Sequence, residues 1–248
     1  MTTESVDLKE LHETYVKMFD SSFSKLRAAT DSGKLEEIRD KLQPFAERVC
    51  RVKRAANKQR NEFISNEMLG KEAALRSLIH LSSMWIQIKS NKPHDGWNEY
   101  AEAENWGQLA ARFLENPNLL EFFRDYFISI ETVIFPNMIY FSPGFTRTLG
   151  KCTICDLKFG ECKHIRGRIY FGQVCDEYGY KMIEGDHVAM VDVPRDKKCY
   201  ARAYKSEGNW FDRMTWANIE KPAKEGEEKG FLIEGTILTM HTPAGAFL

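Results

Sequence analysis

No run of apolar residues in this 248-residue chain is long enough to cross a bilayer, and the N-terminus, MTTESVDLKEL, lacks the basic start, apolar stretch and small-residue cleavage site of a secretory leader. A cytoplasmic protein without membrane contact is the expectation. Net charge is nearly absent too. The formal total of -1 at pH 7 argues against a chain-wide electrostatic grip on nucleic acid or anionic lipid, so only local basic patches remain to be sought. A P-loop, a Gly-rich dinucleotide turn and an H-E-x-x-H pair are all missing, which removes the common nucleotide-binding and metalloprotease routes to catalysis. No internal repeat or low-complexity tract occurs, setting aside solenoids and extended disorder.

Cysteine is sparse, at six residues. With no leader these thiols are expected to be reduced, and clustered thiols in that setting bind metal more often than they pair. Cys50, Cys175 and Cys199 are scattered and read as small buried apolar side chains.

What is present is an ordinary globular balance, 29% charged and 43% hydrophobic, on a chain long enough to bury a core without help from metal or disulfide. Leu11, Tyr15, Met18, Ser22, Leu26 and Ala29 fall at spacings of three and four, the seam of a packed helix. Asp31, Ser32 and Gly33 break it, and Leu35, Ile38, Leu42, Phe45, Val49, Val52 and Ala56 begin a second seam. Two such helices joined by a short turn predict a long antiparallel helical hairpin. Pro44 predicts a kink or a fresh helix start within the second arm, and Gly70 is taken as its end. Ala74, Leu75, Leu78, Ile79, Leu81, Met84, Trp85 and Ile88 then predict a helix apolar around much of its circumference. A loop is expected over 91–96, next a helix carrying Trp97, Tyr100, Trp106, Leu109, Phe113 and Leu114 and ending near Pro117, and a last helix from about Leu119 to Val133.

After Pro136 short β-type runs and glycine dominate. Strands are predicted at 168–171, 188–193, 199–204 and 231–240, with an exposed charged loop at 221–230. The expected architecture is α+β: a helical bundle over residues 1–134 that opens with the long hairpin, then a zinc-knuckle module and a small antiparallel β domain over 135–248.

The knuckle is the string Cys152-Thr-Ile-Cys155, six further residues, then Cys162-Lys-His164. A C-x2-C pair on a tight turn aims two thiolates at one centre, and a second close pair completes a tetrahedron around a borderline-soft ion. Asp156, Lys158, Gly160, Glu161 and Lys163 among the ligands leave no apolar surroundings in which three cysteines would be buried for packing. Four protein ligands fill the coordination sphere, so the expected Zn2+ is structural rather than catalytic. His187 is a rival fourth ligand.

The segments FPNMIYFSPGF, CTICDLKFGECKHIRGRIYFGQVC and DHVAMVDVPRDKKC resemble an uncharacterised prokaryotic family. In that family a Phe-Pro segment and a Ser-x-Gly-Phe segment precede a C-x2-C, C-x-H, Gly-x-x-Tyr-x-Gly module. The likeness spans roughly residues 94–204, Trp97 and Trp106 included, and implies no activity. Residues 141–145 and 188–194 are more faintly similar to segments of phage prohead maturation proteases, and that resemblance implies Ser142 as a nucleophile. The sequence departs from a working protease: His80 falls in a buried helix pattern, His94 in a loop and His164 in the zinc set, which leaves His187 and His241 as bases without a motif. The kinship is read as a shared β scaffold without catalysis.

Arg48, Arg51, Lys53, Arg54, Lys58 and Arg60 form the densest basic run, and Arg51, Arg54 and Lys58 share one helical face that could meet phosphates. Lys151, Lys158, Lys163, Arg166 and Arg168 would add charge around the zinc. The paired acids Glu36 and Glu37, and Glu102 and Glu104, offer no enclosed acid-base pair, and the many rings of the helical half read as core. A non-enzymatic binding or assembly protein engaging a protein partner or a second copy is therefore expected. Nucleic-acid binding through the basic face is the alternative, and a degenerate hydrolase centred on Ser142 the last.

Overall fold

The three-four periodicity of the first half becomes helix. The computed structural model describes residues 7–28, 31–113, 117–221 and 232–237. Within them run α1 (Leu8–Ala28), α2 (Ser32–Lys58), α3 (Glu62–Lys89), α4 (Pro93–Ala111) and α5 (Pro117–Ile134). Ten short strands follow: β1 (Tyr140–Arg147), β2 (Lys151–Cys152), β3 (Ile169–Tyr170), β4 (Gln173–Val174), β5 (Glu177–Tyr178), β6 (Met182–Val191), β7 (Ala201–Ser206), β8 (Asn209–Asp212), β9 (Asn218–Ile219) and β10 (Leu232–Gly235). The chain is thus α+β, with small antiparallel sheets. Ala29, Leu114, His241 and residues 222–231 and 238–240, to which readings were attached above, lie outside the described residues.

Asp31 caps α2, its carboxylate accepting from the Gly33 N–H at 3.1 Å. Leu35, Ile38, Leu42, Phe45, Val49 and Ala56 are buried along this helix. It runs through Pro44 without restarting. The break comes at 59–61 instead, where Arg60 adopts a left-handed φ of 56° and the Asn61 N–H reaches back to the Ala56 carbonyl at 2.9 Å, a helix stop that ordinarily uses glycine. Asn61 then caps α3 by accepting from the Ile64 N–H.

Gly70, expected to end a helix, lies inside α3. A Cβ there would meet Cγ of Phe113 at 2.7 Å, so the glycine marks a close approach between helices. The α3 helix packs on both α2 and α4, helped by small residues such as Ala73, Ser77, Ala103 and Ala110, with the Ser77 hydroxyl donating to the Ala103 carbonyl at 2.8 Å. Gly70→Ala should gain up to about 1 kcal/mol of helix propensity but displace Phe113 at a cost of about 1–3 kcal/mol. A melting temperature lower by a few degrees is expected in a thermal scan.

The loop expected over 91–96 becomes the three-residue connection Ser90, Asn91 and Lys92, because Pro93 occupies the first turn of α4, where a missing N–H costs nothing. Pro117 likewise starts α5 rather than ending α4. No helix among the described residues is long and apolar enough to cross a membrane.

In the second half β1 and β6 form a two-stranded antiparallel ribbon, with Tyr140 opposite Val191 and Ser142 opposite Ala189. A four-stranded sheet has the order β10-β7-β8-β9, and β2-β5 and β3-β4 are separate pairs. The apolar cluster is continuous from helices to strands: Trp97 and Tyr100 of α4 pack against Phe135, and Trp97 also packs against Tyr140 and Tyr200. Polar contacts reinforce this seam. The Trp97 indole N–H donates to the Lys197 carbonyl at 2.8 Å, and the Lys197 ammonium lies 2.7 Å from both Glu104 and Glu131. Lys198 pairs with Glu102. Glu102 and Glu104 therefore dock the 192–200 turn onto α4. Burial pushes the Glu104 carboxyl up despite Lys197.

Candidate metal centre

The metal-ligating atoms of Cys152, Cys155, Cys162 and His164 all lie within 4.8 Å of one another, close enough to hold one metal ion. Backbone geometry makes this convergence local. Cys152 ends β2, and the Asp156 N–H closes a tight turn onto the Cys152 carbonyl at 3.0 Å, with Asp156 at φ 61°. The Cys152 N–H donates to Leu157 at 2.8 Å, and the Ile154 N–H points at the Cys152 sulfur at 3.4 Å. Gly160, at φ 94°, then turns the chain so that Cys162 and His164 return to the same point.

The donor set suits a borderline-soft cation. His164 Nδ1 is buried with no hydrogen-bond partner, and an orphaned buried ring nitrogen beside three thiols fits a residue that would serve as a metal ligand. Burial opposes ionisation of Cys152, but the N–H groups of Ile154 and Cys155 and the neighbouring thiols outweigh it and hold the group below the usual thiol range.

Two neighbours went unread in the sequence. Cys175 is fully buried, as expected, but its sulfur lies 3.8 Å from that of Cys152. Burial and the adjacent Cys152 push its thiol up to about 12. Glu177, also buried, accepts from Arg147 of β1 and Arg166 of the ligand loop, each at 2.7 Å, and from the Gly150 N–H. The Arg147 hydrogen bond leads the causes that hold Glu177 down at about 2. Its stabilising share is complete above the ordinary glutamate range and is lost as pH falls toward 2. Glu177→Gln should weaken the module by about 2 kcal/mol, a value reduced by the partial exposure of both arginines. Hydrogen exchange of residues 150–178 should report the loss.

The module is seated on the helices by the β3-β4 hairpin. Its turn uses positive φ at Phe171 and Gly172, the geometry of a tight two-residue hairpin. The Gly172 N–H donates to Asn66 at 2.7 Å, and a Cβ at this position would meet the Ser65 carbonyl at 2.7 Å.

His187 is not part of the cluster. It lies on β6, exposed, with Nδ1 2.9 Å from Asp186. Ser142 shares a ribbon face with it by register, and the His187 ring covers Gly144, but no hydrogen bond among the described residues joins Ser142 to His187. His94 sits in α4 rather than in a loop, held by Tyr200 at 2.8 Å and Asp212 at 2.7 Å. His80 pairs with Glu99.

Arg51, Arg54 and Lys58 are exposed on α2 without an ion-pair partner among the described residues. Lys53, from the same basic run, is buried against Glu72 at 2.9 Å. Arg166 is taken by Asp176 and Glu177, and Lys158 by Glu161, which leaves less free charge around the metal centre than the sequence implied. Compared with family models, with curated proteins and with solved structures, the chain matches none.

Proposed function

We propose that this chain is a non-enzymatic binding or assembly protein of a prokaryotic or phage-related cytoplasmic complex, its β half braced by a structural Zn2+ on Cys152, Cys155, Cys162 and His164. The observation that supports the reading best is β6. Met182, Ile183, Val188 and Met190 are exposed along it, and Val193 just beyond is 87% exposed. Among the described residues its outer edge pairs with nothing. A ten-residue strand with free backbone groups and apolar side chains favours association with another protein or a second copy.

In this reading zinc and Glu177 stiffen the ribbon from its base, since Arg147 at the end of β1 is bonded to Glu177. The helices, opening with the α1-α2 hairpin, form the scaffold on which the module sits. Val188→Lys with Met190→Lys should abolish association by more than about tenfold, because two charges would have to be desolvated at the contact. Light scattering and recovery of partners from native cells measure this. Unchanged association in a folded, zinc-loaded double variant would remove the ribbon from the proposal.

The second reading is nucleic-acid binding through Arg51, Arg54 and Lys58, favoured by their shared exposed face. It requires retention on DNA or RNA that weakens steeply with salt and is lost when these three side chains are neutralised.

A further inference from the structure

We propose that Cys175 is a reserve ligand of the metal centre, able to take the place of His164 so that the site holds its ion through either three thiolates and an imidazole or four thiolates. The inference rests on the metal-binding reading above and extends it to a residue outside the C-x2-C, C-x-H string.

The geometry is specific. A tetrahedral site with metal–sulfur bonds of about 2.3 Å has sulfur–sulfur edges of about 3.8 Å, and Cys175 Sγ stands 3.8 Å from Cys152 Sγ. Its backbone is clamped to the loop that carries the other ligands. The Cys175 N–H donates to the Arg168 carbonyl at 2.7 Å, and the Gly167 N–H donates to the Cys175 carbonyl at 2.8 Å. Cys175 is thus fixed between β2, which supplies Cys152, and the segment that follows His164. Its side chain is fully buried, and the hydrogen-bond neighbour of its sulfur is Cys152.

Cys152, Cys155, Cys162 and His164 fill the four positions of a tetrahedral ion, and Cys175 stands just outside that set, in reach of it through Cys152. His164 is the ligand most readily released, since it is the one neutral donor among thiolates and lies on an irregular segment. In the exchange the bond from the ion to the His164 nitrogen breaks and a bond to Cys175 Sγ forms. The Cys175 thiol proton passes to the freed imidazole, so total charge is conserved and no oxidant or reductant takes part. Cys175 keeps the ion in place while the 164–170 segment is free to move.

Cobalt(II) titration of the apo full-length protein tests this in four forms: wild type, His164→Ala, Cys175→Ser and the double variant. Wild type and Cys175→Ser should each bind one tetrahedral Co2+. His164→Ala should also bind one, with thiolate-to-metal charge transfer raised by about one-third as three thiolates become four. The double variant, with three thiolates and a water in the fourth position, should keep the charge transfer of three thiolates and bind roughly 100-fold more weakly than wild type. Affinity and charge transfer in His164→Ala equal to those of the double variant overturn the inference and leave the metal site standing. No Co2+ binding by wild type overturns both. A second measurement starts from folded protein: after acylation of histidines by diethylpyrocarbonate, zinc should be retained by wild type and released by Cys175→Ser. Equal release from the two also overturns the inference.

Discussion

Cys152→Ser combined with Cys175→Ser is expected to abolish stoichiometric zinc binding and to unfold residues 150–178 while the five helices stay folded; both sulfurs are removed because they stand 3.8 Å apart and one could stand in for the other. The reason is the poverty of apolar burial in this segment. Leu157 and Ile165 are about half exposed, and the residues buried there are two glycines, Gly150 and Gly172, with Cys152, Cys175 and Glu177. The strand pairs β2-β5 and β3-β4 contribute two residues per strand, far short of what an isolated hairpin needs. In the proposed zinc-bound form, metal binding on the order of ten kcal/mol would be the dominant local term, with Cys152 the most deeply buried of the four ligands. Hydrogen exchange resolved by peptide should show protection lost over 150–178 and in β1, which Arg147 ties to Glu177. Protection in α2, α3 and α4 should change little, since most of their core is made among the helices themselves and the module adds only the partly buried Ile169 and Val174 at its edge. Full protection of 150–178 in metal-free protein would defeat this account.

The sequence exposed the metal site more completely than the fold around it, and the difference has a physical origin. Four ligands within a thirteen-residue stretch converge through local turns, so spacing alone reports their geometry. Helix faces were equally legible because burial follows the 3.6-residue period: Leu35, Ile38, Leu42, Phe45 and Val49 are all buried. Helix ends were not. Gly70 serves helix packing, Arg60 fills a left-handed position usually given to glycine, and Pro93 and Pro117 begin helices, so the residues that punctuate a chain were present in different roles. The sequence does contain the signal that places the α2-α3 break, an asparagine cap at Asn61. Contacts made across the chain were illegible. Lys197 reaching Glu104 and Glu131, His94 reaching Asp212, and Cys175 beside Cys152 depend on how the strands return to the helices, and no local period encodes that return.

Lys53 is the sharpest case, and it carries the second large expected effect. Its neighbours Arg51 and Arg54 face solvent, but Lys53 is on the inner side of α2, its side chain 3% exposed, and it meets Glu72 at 1% exposure. Glu72 is also bonded by Arg76 at 2.8 Å. Burial pushes the Glu72 carboxyl up, but Lys53 and Arg76 together outweigh it and hold the group below the ordinary glutamate range. Its contribution is thus present above that range and lost as pH falls through the depressed value. Lys53→Met should cost about 3–5 kcal/mol, because it leaves a buried carboxylate with only a partly exposed arginine as partner. Restoring neutrality reverses most of that cost: Lys53→Met combined with Glu72→Leu should recover all but about 1–2 kcal/mol, since desolvating two ions offsets much of their attraction. Chemical denaturation of the two singles and the double measures the coupling. Additive losses would show that the pair is not a unit. The location gives the pair a second consequence, because the Lys53 stem lies against Gly172 at the tip of the hairpin that seats the metal module. Lys53→Met should therefore also loosen the 171–172 turn, seen as faster exchange of the Gly172 N–H bonded to Asn66, and so link the helical core to the rigidity of the metal centre.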